Sequence, residues 1–468
     1  MKKTLSLLIT ILVISFSTVG LCGNIVYPWR ATTAIVKAGE NFEVWFNSDN
    51  GQAVNSVTLQ GPYNTVTTTK TILTGRWVYD KTSLNTYNTK ITVTVPTSAP
   101  ADRYDITLNT STGQVTSLAG VKVIKEYKTS YYILHFSDVH AFQSGYNTTF
   151  ERLSTIIDIA NIIDPEIVFN TGDNLYRPTG DRMNQYFIGD SILGTKGLNK
   201  LNAATFTTVG NHDFDFDNVA ASGFYAEKSA WWNTWWGLQS YNFKYGNGRF
   251  MAINDAWAGF NTALQITDAV SWLNSVGPGN LRLGAAHIKD QRLVPLDNRT
   301  NLGLVLIGHN HFLASENPAI LNNKPIQYVV NSVRDNVEFN LFKVDGTTGN
   351  YVPVSGPTAQ VQYLQNPINK ETPSAYVTNL TLNYSNVNDG LFPTNTATII
   401  NKFNFPISDA KVRFIMPLGS LYDISKGKIE QSFKGTSFYI VDVRIDLNAN
   451  STTVIDITKI DGGDYRTK

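Results

Sequence analysis

Cysteine is nearly absent from this sequence. The 468-residue chain contains one, Cys22. It lies in an N-terminal segment that we expect to be removed, so the mature chain would contain none. Internal disulfides and metal sites built from thiolates are therefore excluded.

An excess of charge of one sign is also absent. The chain has 38 Lys and Arg against 37 Asp and Glu, which gives a formal net charge of +1. Proteins that hold nucleic acid or an anionic membrane need clustered basic side chains. The composition therefore disfavours nucleic acid as a partner, although a local basic pocket stays possible.

Long apolar runs are missing after the N-terminus. No later stretch approaches the roughly 20 apolar residues that span a bilayer. The first 23 residues have the layout of a secretory signal peptide, with two lysines, an apolar stretch and then small residues. We expect cleavage near Cys22 or Gly23 and a secreted, extracellular or lumenal protein without a membrane span. An uncleaved N-terminal anchor is the alternative, and the bulky Leu21 disfavours lipid modification of Cys22.

Six Asn-X-Ser/Thr triplets fit a secreted glycoprotein. Chance explains them equally well, because the chain is rich in Asn and Thr. They begin at Asn109, Asn147, Asn298, Asn379, Asn383 and Asn450.

The hydrophobic pattern divides the chain into three parts after the signal peptide (1–23). Residues 24–126 and 353–468 contain short alternating runs such as "KITVTVP" and "FYIVDVRIDL", which predict all-β, Ig-like sandwich domains. Residues 127–352 differ, because apolar runs such as "YYILHFSD" alternate with helical patterns at "FERLSTIIDIANIID", Met183 to Leu193 and "TDAVSWLNSV". This middle part is predicted to be an α/β layered domain.

Polar residues follow each predicted strand of the middle part, where open α/β sheets bind their ligands. Five of the six histidines are among them, which is an odd coincidence for a purely structural core. The sixth, His135, lies three residues before Asp138 and is interpreted as a core histidine on the opposite face of its strand. The strand-end residues are Asp138, His140, Asp173, Asn211, His212, Asp213, His287, His309 and His311.

The spacing of these residues suits a pair of metal ions. Residues i and i+2 of an extended segment project to one side about 7 Å apart, so His309 and His311 can hold two ions about 4 Å apart from either flank. A carboxylate such as Asp173 can bridge two ions, and Asn211 can offer its amide oxygen. Oxygen and imidazole ligands favour Mn, Fe or Zn. The sequence thus predicts two divalent or mixed-valence metal ions.

The motifs "ILHFSDVH", "FNTGDN", "VGNHD", "AAH" and "GHNH", in this order over residues 131–344, resemble the signature of the calcineurin-like metallophosphoesterases, which include the purple acid phosphatases. The resemblance implies a four-layer β-sandwich core with helices outside. It also implies that Asp138, His140 and His311 hold one metal, that Asn211, His287 and His309 hold the other, and that Asp173 bridges them. His212, oriented by Asp213, would face the scissile phosphate together with Asn211.

One position departs from the purple acid phosphatases. In those enzymes a tyrosine matching Tyr176 binds ferric iron, and glycine is typical at the position of His140. This chain has both His140 and Tyr176. We favour His140 as the ligand and Tyr176 as a pocket wall or packing residue. If Tyr176 bound ferric iron instead, the purified protein should be visibly coloured. Tyr176 and Arg177 are weaker candidates for substrate contact.

The predicted reaction is hydrolysis of a phosphoric ester. Two cations lower the pKa of a bound water, and the resulting hydroxide attacks the phosphorus in line while His212 assists the leaving group. The sequence leaves monoester or diester, and the oligomeric state, open. Trp231, Trp232, Trp235 and Trp236 could stack on a base or sugar, but a packed cluster is favoured.

Two other classes of function stay open. The chain could be an extracellular binding or adhesion protein with an inactive phosphoesterase-like domain, although such a relic needs no full set of seven ligands. It could also be a secreted nuclease or nucleotide phosphodiesterase, which the balanced charge disfavours.

Overall fold

The structure is a computed structural model of the whole chain. The residues described are 23–80, 84–145, 149–214, 225–255, 262–277, 279–288, 300, 302–311, 314–316, 326–335, 337–354, 361–362, 379–419 and 421–460. The predicted signal peptide therefore lies outside the described residues, apart from Gly23. No helix among the described residues is long and apolar enough to cross a membrane.

The N-terminal part forms two packed β-sheets. Its strands pair in the orders β1-β3-β7-β6 and β2-β9-β8-β4-β5, and apolar side chains from both sheets share one core. The two-sheet arrangement agrees with the alternating pattern, while the Ig-like topology and the domain boundaries stay predictions. The strands are β1 (Asn24–Tyr27), β2 (Ala34–Lys37), β3 (Asn41–Asn47), β4 (Val54–Gln60), β5 (Thr65–Thr67), β6 (Thr69–Asp80), β7 (Asn85–Thr94), β8 (Asp102–Thr110) and β9 (Gly113–Ile124).

The middle part contains two larger sheets and all four described α-helices. Its elements are β10 (Ser130–Phe136), α1 (Thr149–Ile163), β11 (Ile167–Asn170), α2 (Gly180–Ile188), β12 (Ala204–Thr207), α3 (Tyr225–Trp235), β13 (Tyr241–Tyr245), β14 (Gly248–Ala252), α4 (Thr262–Leu273), β15 (Arg282–Ala285), β16 (Leu304–Ile307), β17 (Ala314–Glu316), β18 (Ile326–Val329), β19 (Glu338–Asp345), β20 (Tyr351–Pro353) and β21 (Val361–Gln362). The pattern predicted α2 over Met183 to Leu193, but the helix ends at Ile188 because Gly189, at φ +96°, takes a conformation outside the helix.

These two sheets pack face to face, with helices on their outer faces. The first has the order β12-β11-β10-β19-β20, with β21 beside β19, and the second has the order β13-β14-β15-β16-β18-β17. Phe169, Phe250 and Leu304 belong to the core between them. On the outer faces, α4 packs on the second sheet, and α1 and α2 pack on the first. The four-layer core is therefore confirmed.

The central strands run parallel, so their carboxyl ends meet at one edge. β10 pairs with β11 and β11 with β12, while β15 pairs with β14 and β16. All four residues of β11 and all four of β16 are buried, as expected for strands covered on both faces. The loops that follow β10, β11, β12, β15 and β16 carry the predicted site residues, so the fold brings them together.

The C-terminal part also consists of two sheets, ordered β22-β23-β28-β25 and β24-β27-β26. Its apolar core is continuous with that of α1, since Ile399 and Phe414 belong to the same buried cluster as Ile156. The strands are β22 (Leu380–Tyr384), β23 (Thr394–Asn401), β24 (Ile407–Met416), β25 (Leu421–Ile424), β26 (Lys428–Lys434), β27 (Tyr439–Leu447) and β28 (Ser451–Ile460).

Solvent exposure separates the predicted glycosylation positions. Asn383 and Asn450 are exposed, whereas Asn379 is buried and Asn109 is intermediate. Asn147 and Asn298 lie outside the described residues. A buried asparagine presents no acceptor to a glycosylating enzyme, so glycosylation stays a prediction chiefly for the exposed pair.

A buried arginine joins the N-terminal part to the middle part. Arg103 on β8 is 7% exposed, and its guanidinium donates to the carbonyls of Leu201 and Ala203 at 2.9 and 3.0 Å and to the Thr205 hydroxyl at 2.9 Å. A further donor of Arg103 reaches the Ala119 carbonyl at 3.0 Å. Leu201, Ala203 and Thr205 lie on or just before β12, so the guanidinium fixes the strand that leads to Asn211.

Substitution of Arg103 tests this joint. Arg103→Met keeps most of the volume but leaves several buried acceptors unpaired, each of which costs about 1–3 kcal/mol. We expect a loss of at least about 3 kcal/mol in the free energy of unfolding, measured by urea denaturation. The exposed Arg76 on β6 provides the control, since Arg76→Met should change this free energy by less than about 0.5 kcal/mol. Equal effects would contradict the role of Arg103.

Candidate metal centre

The loops after β10 and β11 hold each other through their backbones. Asp138 N–H donates to the Gly172 carbonyl at 3.0 Å, and His140 N–H donates to the Asp173 carbonyl at 2.9 Å. Asp138, His140 and Asp173 all have positive φ, at +55°, +46° and +50°. Side chains other than glycine rarely adopt this conformation, and it persists where the surroundings enforce it, commonly at functional sites.

A first cluster contains Asp138, His140 and His311. His311 Nε2 lies 3.2 Å from Asp138 Oδ1, and His140 Nε2 lies 3.7 Å from the same oxygen. Asp138 Oδ1 and both ring nitrogens of His140 are buried and have no hydrogen-bond partner in the described structure. Buried polar atoms normally have partners, so these atoms are suited to hold a ligand. A metal ion fits, because the donors are carboxylate oxygen and imidazole nitrogen.

A second cluster contains His287, His309 and Asn211. The Asn211 Oδ1 atom lies 3.1 Å from His287 Nε2 and 3.0 Å from His309 Nδ1. On the other side of its ring, His287 Nδ1 lies 2.7 Å from the Thr171 carbonyl, which can only accept a hydrogen bond. In the neutral ring the proton therefore sits on Nδ1, which leaves the lone pair of Nε2 facing the cluster.

Asp173 lies between the two clusters. Its Oδ2 atom is 3.5 Å from His140 Nε2 and 3.2 Å from His287 Nε2. Its Oδ1 atom accepts a hydrogen bond of 2.8 Å from the His212 backbone N–H. One carboxylate oxygen thus faces a histidine from each cluster, while the other fixes the loop after β12.

Two glycines allow the loops to approach this closely. A Cβ atom on Gly210 would lie 2.0 Å from Asp173 N, and one on Gly308 would lie 2.1 Å from Ser137 Oγ. At Gly210 the nearest atom is backbone, so no side chain fits there, and at Gly308 the Ser137 side chain would have to shift. Glycine at positions 210 and 308 therefore allows the loops to pass close to Asp173 and Asp138.

The clusters concentrate opposite charges. Burial disfavours the charged form of Asp138, but the neighbouring His140 and His311 rings outweigh it and hold its pKa well below the usual value. Burial likewise disfavours charged His287, yet the Asp173 carboxylate raises its pKa to about 10. His311 is also desolvated, but its hydrogen bonds to Asp138 and Asp335 raise its pKa to about 9. Without metal, protons on these rings balance the carboxylates.

His212 and Tyr176 line the opening of the site. The His212 ring is half-buried, with its centroid 4.9 Å from that of His140 and 5.3 Å from that of Tyr176. Tyr176 is also half-buried, whereas Arg177 is exposed, with its guanidinium 5.6 Å from the Tyr176 ring. The structure therefore places both weaker candidates at the rim.

Asp213 is fully buried beside these residues. Its carboxylate accepts hydrogen bonds from the backbone of Asn174, Leu175 and Gly210 at 2.8 to 3.2 Å. Burial and then the nearby Asp173 charge raise its pKa to about 7. These contacts give Asp213 a clear part in holding the loops after β11 and β12. Its predicted orientation of the His212 ring stays a prediction.

Two interpretations of residues outside the clusters are confirmed. His135 is buried, with Nε2 2.8 Å from the Thr171 hydroxyl and Nδ1 3.2 Å from Asn340 Nδ2, so it is a core histidine. Trp232 and Trp236 are fully buried and stack at 5.7 Å. Trp231 and Trp235 are half-buried and pack against the same core, so the four tryptophans form a packed cluster.

Sequence reasoning missed several supporting residues. Asp255, after β14, accepts a 3.0 Å hydrogen bond from the His287 N–H. Ser332, after β18, donates to the Asp138 carbonyl at 2.8 Å, and Arg334 and Asp335 contact His311. All follow buried strands, in "MAIND" and "YVVNSVRD". The rule that located the ligands, polar residues at strand ends, would have found them too.

Comparison with known families agrees with this geometry. Residues 131–313 match the calcineurin-like phosphoesterase family, and this range contains all seven predicted ligands. Residues 131–313 are thus similar to a calcineurin-like phosphoesterase domain. This match supports an enzyme that hydrolyses phosphoric esters.

Solved structures give weaker similarities. A purple acid phosphatase from yellow lupin (Lupinus luteus) seeds is 15% identical, over 68% of this chain and 70% of that one, with a TM-score of 0.43. A dimetal phosphatase from Danio rerio is 10% identical, over 48% and 98%, with a TM-score of 0.32. A metallophosphoesterase from Sphaerobacter thermophilus is 12% identical, over 50% and 89%, with a TM-score of 0.25. No curated protein matches the sequence.

The raised histidine pKa values predict how metal-free protein responds to pH. The folded pKa values of His287 and His311, about 10 and about 9, lie above the ordinary value of 6.5. Their contribution to stability is therefore complete below pH 6.5 and is lost as pH rises through 9 and 10. We expect the melting temperature of chelator-treated protein to fall between pH 7 and 10. A melting temperature that rises over this range would contradict the charge arrangement.

Proposed function

We propose that this protein is a secreted dinuclear metallohydrolase of phosphoric esters. The observation that carries the proposal is the position of Asp173, whose Oδ2 atom faces His140 of one cluster at 3.5 Å and His287 of the other at 3.2 Å. A single carboxylate between two sets of nitrogen and oxygen donors is suited to bridge two ions. The signal-peptide pattern supports secretion.

The donor sets define which residues would hold each ion. Asp138, His140 and His311 would hold one ion, Asn211, His287 and His309 the other, and Asp173 both. The orphaned nitrogens of His140 support it as a ligand in preference to Tyr176, whose ring lies against His212. Mn, Fe and Zn all suit this set of oxygen and imidazole donors.

The remaining residues would handle the substrate. When bound, two cations supply an activated water and neutralise charge on the phosphoryl group. His212, at the mouth of the site, is placed to donate a proton to the leaving oxygen. Its backbone is tied to Asp173 by a 2.8 Å hydrogen bond, so the ring keeps a fixed relation to the clusters. Asn211 would contact the phosphate beside it, and Tyr176 would form one wall.

Replacement of the bridging carboxylate tests the proposal. Asp173→Asn removes the charge shared by both clusters. Loss of an outer-shell partner typically lowers activity about 10–100-fold, and loss of a bridging ligand should cost more. We therefore expect metal-dependent hydrolysis of a chromogenic phosphomonoester and phosphodiester to fall by more than about 100-fold. Metal content, measured by elemental analysis, should fall as well.

The exposed Asp158 on α1 provides the matched control. Asp158→Asn should retain activity and metal. Wild-type protein that binds two metals but hydrolyses neither ester would contradict the proposed activity, and wild-type protein that binds none would support the alternative of a binding protein with an inactive domain.

His212 should affect turnover rather than metal content. His212→Asn removes the proton donor, and loss of a general acid typically lowers kcat by about 10²–10⁴-fold. Because His212 belongs to neither ligand set, the variant should still bind two metal ions. The role proposed for His212 fails if the variant keeps wild-type kcat, or if it loses metal in parallel with activity.

A further inference from the structure

The segment after β18 packs against the loop that carries Asp138 of the first cluster. Val333 N–H donates to the Ser137 carbonyl at 3.1 Å, and Arg334 N–H donates to the Asp138 carbonyl at 3.0 Å. The Ser332 hydroxyl donates to that same Asp138 carbonyl at 2.8 Å. The backbone of residues 332–334 is therefore fixed directly against the loop that carries Asp138.

This anchorage places an ion pair beside His311. Arg334 and Asp335 form a two-point contact, with Nη2 2.7 Å from Oδ2 and Nε 3.2 Å from Oδ1. Asp335 Oδ2 lies 3.4 Å from His311 Nδ1, and Arg334 Nη2 lies 2.8 Å from that same nitrogen. The other ring nitrogen, Nε2, faces Asp138 at 3.2 Å. The ion pair thus contacts the side of the ring that faces away from the cluster.

The two members of the pair favour different tautomers of His311. A guanidinium can only donate, so a hydrogen bond from Arg334 needs a lone pair on Nδ1 and leaves the proton on Nε2. A carboxylate can only accept, so a hydrogen bond to Asp335 needs the proton on Nδ1 and leaves the lone pair on Nε2. Only the second tautomer can ligate a metal through Nε2.

His311 has particular need of such support. Its side chain is 24% exposed, whereas that of His287 in the second cluster is fully buried and held by the Thr171 carbonyl at 2.7 Å. An exposed ring is less restricted by packing, so its orientation depends on the hydrogen bond at its far nitrogen. Carboxylates commonly serve this purpose for metal-binding histidines.

We propose that Asp335 is a positioning residue for the metal site, accepting the Nδ1 proton of His311, and that Arg334 holds the Asp335 carboxylate in place. The inference rests on the proposed function, since it assumes that His311 is a ligand. It adds Asp335 and Arg334 to the site and assigns the tautomer of His311.

Manganese binding to chelator-treated protein tests this without reference to hydrolysis. Mn²⁺ is titrated calorimetrically into wild type, Asp335→Asn, Asp335→Glu and Arg334→Met. Loss of an outer-shell partner typically weakens metal binding about 10–100-fold, so Asp335→Asn should weaken one of two sites by this factor and leave the other unchanged. Asp335→Glu should restore part of the affinity, and Arg334→Met should weaken binding less than Asp335→Asn.

The exposed Asp423 on β25 supplies the control, Asp423→Asn, which should bind as wild type does. Melting of each metal-free variant separates loss of affinity from loss of folding. Wild-type affinity at both sites in Asp335→Asn overturns the inference. So does an equal loss in Arg334→Met and Asp335→Asn without recovery in Asp335→Glu, which would show that the pair only folds the segment. Failure of wild type to hydrolyse esters while binding two Mn²⁺ would instead refute the proposed function alone.

Discussion

The contact on which the site depends is that of the Asp173 carboxylate with its neighbours. One oxygen faces His140 and His287, and the other accepts from the His212 backbone. This single side chain, after β11 in the first sheet, meets donors from the loops after β10, β12 and β15. The carboxyl ends of the strands in both sheets must therefore lie side by side before either cluster can form. Packing of the core between the sheets is therefore a condition for assembly of the site.

Much of this could be predicted from the sequence, because the signals were local. Buried parallel strands are continuous apolar runs, and the polar residues that end them identify the edge where ligands bind. The spacing of Asp138 and His140, and of His309 and His311, was enough to suggest paired ions. The histidine without such a position, His135, was correctly assigned to the core because its place within a strand sets the face that it occupies.

The features that could not be predicted from the sequence depend on contacts between residues that are far apart in the chain. That Asp213 orients the neighbouring His212 ring stays a prediction, but nothing local indicated that its carboxylate also accepts hydrogen bonds from backbone groups of Asn174, Leu175 and Gly210. Asp335 is 24 positions from His311 in sequence, and only the return of β18 beside β16 brings them together. The positive φ angles of Asp138 and His140 likewise follow from the loops packed around them.

The continuous core of α1 and the C-terminal sheets has a consequence for how this chain can be divided. The predicted ligands and the family match both lie within residues 131–313, which suggests a catalytic module that could be moved on its own. Yet Ile399 and Phe414, beyond that range, complete the cover of the helix that backs the first sheet. Excision of residues 131–313 would expose an apolar face of α1 to water. A stable fragment should therefore include the C-terminal β-sheets as well.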